Sequence, residues 1–295
     1  MIISKCPLRV SLVGGSTDLQ SFIDKFGVGK VINFPVDLFT YIFLSPRFDK
    51  KYVINYSRRE STLDIEKIKN DIAREVIKYF NLPPITMTFN SDIPTTGSGL
   101  ASSSSYTVAA VAAAYKFKNI NKSQFEICEV AHEIELKFNP LTGYQDTYGC
   151  GLPSSKLMTF NSDISTKYIK LPSVNMFLYN TNIKRPSTDI LKTIDIDKSY
   201  HLLDLVEKTY KSLSNVDNFW KILNDSWEVK KTLSSHIMNN KIITLENNLR
   251  DQYNIKYLKL CGAGGGGYFL IMSEDNISEA IKINIDNKGV IVWKM

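Results

Sequence analysis

A glycine-broken loop that runs into an alanine-rich segment is the strongest chemical feature of this sequence. It reads Pro94-Thr-Thr-Gly-Ser-Gly-Leu-Ala-Ser-Ser-Ser-Ser-Tyr106 and continues through Thr107 to Tyr115. Gly97 and Gly99 permit backbone angles that side chains forbid, and the serines that follow supply hydroxyls that begin helices. Free N–H groups and the positive end of a helix dipole would then meet at one spot, which favours an anion and above all phosphate. A helix with a flexible, serine-rich entry is the alternative interpretation.

Two phosphate-binding motifs and one zinc-binding motif are excluded, each by the residue at one position. A Walker A loop needs a lysine after its second glycine, and neither Gly99 nor Gly267 is followed by one. A dinucleotide fingerprint would place a third glycine at Ser102. A zinc protease helix would need a second histidine at Leu136, four residues after His132. The glycine loop from Pro94 to Ser105 would therefore bind a nucleotide by a motif other than these two phosphate-binding ones.

Two other glycine-rich stretches follow along the chain. Asn139 to Gly149 reads as a loop that carries one carboxylate, Asp146, between glycines. Gly262 to Gly267 separates two predicted strands and holds four consecutive glycines. Such a run is unfavourable in backbone entropy, so a ligand or another loop must approach that backbone closely.

The elements around these loops follow from hydrophobic periodicity. Ile2 to Val13 and Ile85 to Asn90 alternate as strands do, and the second strand leads directly to the glycine loop. Apolar residues three or four apart predict one amphipathic helix from Ile65 to Phe80 and another from Lys122 to Leu136. The alanines from 109 to 114 predict a buried central helix whose N-terminus stays open.

Composition limits the classes of function. The chain has 295 residues and 43% hydrophobic content, enough for two domains or one large one. Its net charge of +6 is spread among a similar number of acids, which argues against nucleic-acid binding. The four cysteines show no metal-ligand spacing and read as reduced thiols, and the chain lacks a signal-peptide pattern or a membrane-spanning run. The sequence thus predicts a cytoplasmic protein without nucleic-acid or membrane partners.

Three segments, in order and spacing, resemble the three motifs of the GHMP kinases, the family of galactokinase, homoserine kinase, mevalonate kinase and phosphomevalonate kinase. They are Pro7 to Asp18, Pro94 to Ser104, and Gly262 to Gly267. The segments Tyr179 to Ser187 and Trp227 to Ser234 resemble the branch of D-glycero-D-manno-heptose 7-phosphate kinase and related sugar kinases. The resemblance implies an α+β fold of two domains with the active site in the cleft between them. Residues 1–154 would resemble the second domain of ribosomal protein S5, and residues 155–295 would be ferredoxin-like.

The resemblance also implies ATP and Mg²⁺ as cofactors. The metal would be held by Ser103, or by Ser102 if the register slips by one, together with Glu135. Mg²⁺ prefers such a combination of hydroxyl, carboxylate and phosphate oxygens. A solvated helix charge is the alternative for Glu135. The nucleotide phosphates would be held by Gly97, Ser98, Gly99, Leu100, Ala101, Ser102 and Ser103.

Asp146 matches the catalytic aspartate of the family and would accept or orient the proton of the attacking hydroxyl. Arg9 matches an arginine near the transferred phosphoryl group, where it would stabilise developing charge and keep Asp146 ionised. The alternatives are an aspartate that caps a turn and an arginine that pairs with some other acid.

On the substrate side, Asp18 would hydrogen-bond sugar hydroxyls, and Gly14 and Gly15 would keep the backbone close to the sugar. Galactokinase has a charged residue at position 15, so galactose is disfavoured as the substrate. A substrate phosphate would be held by two cations and a hydroxyl at a predicted helix start, Lys184, Arg185 and Ser187.

The chain departs from its branch at three positions where glycine is usual, since it has Ser16, Ala101 and Asn182. The expected reaction is ATP-dependent phosphorylation of a sugar or sugar phosphate, with O1 of D-glycero-D-manno-heptose 7-phosphate as the first candidate. The alternatives are a kinase of a free sugar such as fucose or of another small alcohol, and a non-catalytic relative that binds ATP and sugar. A monomer and a homodimer are both compatible with the sequence.

Overall fold

Two β-sheets organise the residues that the computed structural model describes, namely 1–183, 190 and 192–295. The larger sheet has eight strands: β1 (Ile2–Val13), β2 (Gly29–Pro46), β3 (Tyr52–Asn55), β4 (Arg59–Thr62), β5 (Ile85–Ser91), β6 (Lys156–Phe160), β7 (Ile164–Tyr168) and β12 (Ile291–Lys294). The smaller sheet has four: β8 (Asn175–Asn180), β9 (Ile255–Leu260), β10 (Tyr268–Ser273) and β11 (Ile281–Ile283).

The strand order of the larger sheet is β12-β1-β2-β5-β3-β4, with β6 on β2 and β7 on β6. The order of the smaller sheet is β11-β8-β10-β9. Strands β6, β7 and β12 come after residue 154 and still belong to the larger sheet. The domain boundary between residues 154 and 155 stays a prediction.

Helices cover the sheets. Those described are α1 (Gln20–Phe26), α2 (Asp71–Phe80), α3 (Ser102–Phe117), α4 (Gln124–Leu136), α5 (Tyr144–Gly151), α6 (Ile196–Ser199), α7 (His201–Lys211), α8 (Val216–Lys231) and α9 (Asn240–Gln252). Within the described ranges, none of these helices combines the length and the apolar character that crossing a membrane would need.

Helix α3 is the central helix of the hydrophobic core that packs on the larger sheet. Every residue from Val108 to Ala114 is fully buried, and the helix contacts β1, β2, α2, α4 and α5. The Ser4 hydroxyl donates to the Ala109 carbonyl oxygen at 2.6 Å. Such close approach to neighbouring backbone is possible because most of these side chains are single methyl groups. The predicted buried helix is therefore present.

The prediction of one continuous helix from Ile65 to Phe80 is wrong, because the segment is divided in two. A 3₁₀ turn covers Ile65–Lys67, and Ile68 is extended with ψ 123°. The Asn70 side chain then accepts from the Ala73 N–H at 2.9 Å and starts α2. Apolar spacing alone extended the prediction across the break, whereas the capping amide sets the start.

Strand β1 joins two hydrophobic cores. Ile2 and Cys6 pack with α2 and α3, whereas Leu8 and Val10 pack in the cluster that contains Phe269 of the smaller sheet. Leu8 and Val10 in the C-terminal half of β1 therefore face the smaller sheet, and Arg9 and Ser11 of the same half line a polar cavity.

Candidate active site

A cavity of about 390 Å³ opens between the glycine loop, the turn after β1, and helices α4, α5 and α8. It brings together residues that are far apart in the sequence. The predicted site residues in its lining are Arg9, Gly15, Asp18, Gly97, Ser98, Gly99, Ala101, Ser102, Ser103, Glu135 and Asp146.

Two other predicted site residues, Gly14 and Leu100, are described but are not part of the lining. A Cβ on Gly14 would meet the Lys30 carbonyl oxygen at 2.2 Å. Leu100 is fully buried, and its carbonyl accepts from the Arg9 N–H at 3.1 Å. Lys184, Arg185 and Ser187 lie outside the described residues.

Arg9 and Asp146 form the central ion pair of the cavity. Arg9 Nη2 lies 2.6 Å and Nε 3.0 Å from Asp146 Oδ1, and Nη1 donates to the Gly99 carbonyl at 2.9 Å. The Arg9 side chain is 5% exposed and that of Asp146 is 25% exposed. One guanidinium therefore fixes both the carboxylate and the glycine loop, and both of its bonds to Asp146 end on Oδ1.

Burial alone would lower the pKa of Arg9, but the Asp146 carboxylate acts in the opposite direction and the net pKa is raised. The arginine thus stays charged. Asp146 itself lies in the first turn of α5, so the loop predicted from Asn139 to Gly149 is helical in its second half. A carboxylate in the first turn of a helix interacts favourably with the helix dipole.

The glycine loop is held from behind by the second glycine run. A Cβ on Gly99 would lie 2.5 Å from the Cys261 carbonyl oxygen, and a Cβ on Gly267 would lie 2.6 Å from the Gly97 carbonyl oxygen. The Tyr268 N–H also donates to the Ser98 carbonyl at 3.3 Å. The close approach expected at the glycine run is therefore made by the loop before α3.

Helix α3 begins at Ser102, directly after Ala101 in the left-handed conformation with φ 56°. The Ser102 hydroxyl lies 2.9 Å from that of Ser98. The N-terminus of this 16-residue helix lines the cavity. An anion placed there would meet the positive end of the dipole.

Glu135 is a buried acid at the other side of this helix start, not a solvated one. It is 1% exposed, and its Oε2 has no hydrogen-bond partner within the part of the chain that the structure describes. Burial raises the pKa of Glu135 to about 7, against the opposing effect of the Ser104, Ser103 and Asn139 side chains. An unsatisfied carboxylate oxygen beside two hydroxyls fits a hard cation such as Mg²⁺.

Asp18 is fixed by the backbone and side chain of Gln145. Its carboxylate accepts from Gln145 N at 3.1 Å, from Gln145 Nε2 at 2.8 Å and from the Ser16 N–H at 3.2 Å. Burial raises the pKa of Asp18 to about 6. The carboxylate thus positions the turn after β1 against the start of α5, and its predicted contact with sugar hydroxyls stays a prediction.

The polar residues of the cavity that sequence reasoning missed include Ser11, Thr142, Gln145 and Lys230. Gln145 directly precedes Asp146, and Lys230 lies in the segment from Trp227 to Ser234 that carries the family resemblance. Their positions in the sequence could therefore have indicated Gln145 and Lys230 as site residues. The convergence of all four on one cavity could not be predicted in this way, because they belong to separate elements.

Comparison with known proteins adds independent information. The profile of the "GHMP kinases N terminal domain" matches residues 66–153. The D-glycero-alpha-D-manno-heptose 7-phosphate kinase of Campylobacter jejuni subsp. jejuni is 27% identical over an alignment of 340 positions. The alignment spans 100% of this chain and 99% of that protein.

Two solved structures share the fold. A D-glycero-D-manno-heptose 1-phosphate kinase from Bacteroides thetaiotaomicron superimposes with a TM-score of 0.78 at 22% identity, over 100% of this chain and 99% of that one. Lactococcus lactis galactokinase, solved with galactose, gives a TM-score of 0.77 at 17% identity, over 100% of this chain and 95% of that one. At such identities the likeness concerns the fold.

Proposed function

Because the chain belongs to the GHMP kinases, we propose that it transfers the γ-phosphoryl group of ATP to a hydroxyl of a sugar or sugar phosphate. ATP is the phosphate donor of this family. The two-domain α+β arrangement predicted from the sequence is confirmed by the fold likeness over the whole chain.

The observation that carries this proposal is the Arg9–Asp146 pair beside the glycine loop. In the reaction, the substrate hydroxyl oxygen bonds to the γ-phosphorus, the bond to the ADP oxygen breaks, and the hydroxyl proton passes to the Asp146 carboxylate. Both hydrogen bonds from Arg9 to Asp146 end on Oδ1. Oδ2 is therefore the oxygen that would accept the hydrogen bond and the proton of the substrate hydroxyl. The Arg9 guanidinium also stabilises charge that develops on the phosphoryl oxygens.

The nucleotide phosphates would bind at the N-terminus of α3, where Gly97, Gly99 and Ser102 line the cavity. Glu135 and the Ser103 hydroxyl would hold Mg²⁺, and the unsatisfied Glu135 Oε2 supports that assignment. When bound, Mg²⁺ neutralises charge on the phosphates.

As the acceptor we assign O1 of D-glycero-D-manno-heptose 7-phosphate, the substrate type named for the Campylobacter jejuni relative. The L-fucokinase/L-fucose-1-P guanylyltransferase of Bacteroides fragilis is 23% identical over 93% of this chain, though the match covers 35% of that protein. A free sugar such as fucose is therefore the second candidate. A substrate phosphate would distinguish the two, with Lys184, Arg185 and Ser187 as its proposed ligands.

The first experiment measures ADP release with Mg-ATP and a panel of acceptors: heptose 7-phosphate, free heptose, fucose, galactose and mevalonate. Turnover confined to the phosphorylated heptose would support both the acceptor and the phosphate site. Turnover of a free sugar would keep the kinase and discard the phosphate site. The absence of turnover across the panel would favour a non-catalytic relative.

The catalytic role of Asp146 is tested by Asp146→Asn. We expect kcat to fall by about 10²- to 10⁴-fold, with ATP binding changed little, because the amide keeps the shape and cannot accept the proton. The matched control is Asp163→Asn on the exposed turn between β6 and β7, which should retain wild-type kcat. Unchanged turnover of Asp146→Asn would remove the assignment. A cytoplasmic location and the absence of nucleic-acid partners stay predictions.

A further inference from the structure

Polar atoms from three separate elements converge on the space next to Gly15. A Cβ built on Gly15 would lie 3.1 Å from Ser11 Oγ of β1, 3.4 Å from Gln145 Nε2 of α5 and 3.7 Å from Lys230 Nζ of α8. Because residue 15 has no side chain, this space belongs to the cavity, and the residues around it line the same cavity as Arg9 and Asp146.

Three buried polar atoms of the cavity lining have no hydrogen-bond partner in the described part of the chain. They are Ser11 Oγ, Gln145 Oε1 and Thr142 Oγ1, on residues that are 3%, 7% and 6% exposed. The orientation of the Gln145 amide is fixed, since Nε2 donates to the acceptor-only carboxylate of Asp18. Buried polar groups are almost always satisfied in proteins, so three such atoms in one cavity indicate a polar ligand.

Lys230 brings a positive charge to this space. Its ammonium donates to the Gly262 carbonyl at 2.8 Å, and the residue is 7% exposed. A second buried lysine, Lys259, lies behind the same wall and donates to the Ser11 and Leu12 carbonyls at 2.8 and 3.2 Å. Helix α8 thus supplies Lys230 to a site whose proposed catalytic pair comes from the first half of the chain.

The mixture of donors and acceptors decides between two ligands. A phosphate dianion in this space would lie beside the Asp18 carboxylate, which Gln145 Nε2 holds in the same cavity and which would repel it. A sugar hydroxyl can accept from an ammonium and donate to an amide oxygen at the same time. The groups therefore match neutral, adjacent hydroxyls better than a phosphate.

We propose that Lys230, with Ser11 and Gln145, forms a substrate-specificity site at Gly15 that binds neutral hydroxyls on the carbon chain of the acceptor sugar. This proposal rests on the proposed sugar kinase function. Lys230 donates to one hydroxyl oxygen, Gln145 Oε1 accepts from a hydroxyl, and Ser11 Oγ completes the set. The space exists because residue 15 is glycine.

The test compares sugar and nucleotide kinetics in Lys230→Met and in Gly15→Ala. Lys230→Met keeps the length of the side chain without its charge. Gly15→Ala places a methyl group in the site at a backbone angle that alanine can adopt. This variant keeps the buried Lys230, so it still tests the site if Lys230→Met does not fold. For both variants we expect the KM for the sugar to rise by about 10- to 100-fold while the KM for ATP stays within about twofold. The control is Lys221→Met, the same change at an exposed position of α8.

Deoxy analogues of the sugar, each lacking one hydroxyl, provide the second measurement. The wild type should lose affinity for the analogue that lacks the hydroxyl bound by Lys230, and Lys230→Met should no longer discriminate against it. A sugar KM that is unchanged in both variants, or an ATP KM that rises as much as the sugar KM, would overturn the proposal. If the wild type turns over no sugar, the proposed function fails, and calorimetric titration of the same variants with the same sugars still decides whether this site binds them.

Discussion

At the scale of single residues, the site depends on how Arg9 holds Asp146. Both of its bonds to the carboxylate end on one oxygen, and the third bond goes to the Gly99 carbonyl. Only a planar guanidinium can make this set, because its donors point in fixed, separate directions. The charge at position 9 and the geometry at position 9 are therefore separate requirements.

Arg9→Lys tests that distinction. The ammonium keeps the charge but cannot reach Asp146 and Gly99 together, so we expect kcat to fall by about 10²- to 10³-fold. The measurement is steady-state turnover, with binding of a fluorescent ATP analogue as a second readout. Arg59→Lys on exposed β4 is the matched control and should behave as wild type. Full activity of Arg9→Lys would show that charge alone suffices.

Asp18 should give the stability a pH dependence of known sign. Its pKa is raised from 3.8 to about 6 by burial, so between these values the folded state holds a proton that the unfolded state releases. The contribution of Asp18 to the free energy of unfolding is therefore greatest at low pH and falls as the pH rises through that window. Urea denaturation at pH 4.5 and 6.5 measures this slope, and Asp18→Asn should flatten it. An identical slope in that variant would mean that other groups cause it.

At the scale of elements, the site is built from turns and helix ends under local strain. Ser16, Ala101 and Asn182 all adopt left-handed backbone, with φ of 89°, 56° and 55°. The resemblance predicts glycine at these three positions, where the chain has a side chain instead. The chain therefore adopts left-handed backbone there without the residue that favours it.

Ala101→Gly should relieve this strain at the start of α3. The left-handed conformation is unfavourable for alanine by about 1–2 kcal/mol, and the greater freedom of glycine in the unfolded chain offsets part of the gain. We expect a net stabilisation of about 0.5–1 kcal/mol, measured as a higher thermal midpoint. The same substitution inside the helix, Ala112→Gly, should instead destabilise the protein. A lower midpoint for Ala101→Gly would contradict the strain argument.

Helix α5 is fixed at its far end by a buried lysine. Lys156 is fully buried, and its ammonium donates to the carbonyls of Leu152, Ser154 and Gly149 at 3.0, 3.2 and 3.3 Å. Asp146 lies at the other end of this helix. The lysine therefore positions the helix that carries the carboxylate proposed to be catalytic.

Lys156→Met should leave those carbonyls buried and unsatisfied, which lowers the free energy of unfolding by about 2–4 kcal/mol. Chemical denaturation measures the change. Lys170→Met, at an exposed position just after β7, should stay within about 0.5 kcal/mol of wild type. Equal stability of the two variants would show that Lys156 does not cap α5.

At the scale of the whole molecule, the cavity needs both sheets. Arg9, Glu135 and Asp146 come from the first half, whereas Lys230 and Gly262 come from the second. Tyr257 and Lys259 of β9 also donate to the backbone of Ser11 and Leu12 at the end of β1, which couples the smaller sheet to the strand that carries Arg9. A ligand in the cavity therefore bridges the two halves.

Binding of Mg-ATP should accordingly raise the stability of the entire protein. At 100 times Kd the expected gain is about 2.7 kcal/mol, because only the folded state binds. Removing Mg²⁺ with a chelator should reduce the shift of the thermal midpoint. Glu135→Gln should make the shift with ATP nearly independent of Mg²⁺, since the amide is a weaker ligand than a carboxylate. A Mg²⁺-dependent shift of wild-type size in that variant would place the metal elsewhere.

The sequence by itself determined the features that depend on local chemistry. Glycines marked the turns, serines marked the start of α3, and residue types in three ordered motifs carried the resemblance to the GHMP kinases and predicted the roles of Arg9 and Asp146. The buried alanine helix followed from composition. These properties reside in a few neighbouring residues, so reading along the chain recovers them.

Only the tertiary structure decided the features that depend on long-range contact. Arg9 and Asp146 are 137 positions apart, and the hydrogen bonds from Arg9 to Asp146 Oδ1 form because β1 packs against α5. Glu135 was predicted as a metal ligand, but its burial, which excludes the alternative of a solvated helix charge, follows from the packing of α3 against α4. Ser11, Gln145 and Lys230 meet around Gly15 because three elements end at one cavity. Local pattern says nothing about such distances, since they are set by the packing of elements that are remote in the sequence.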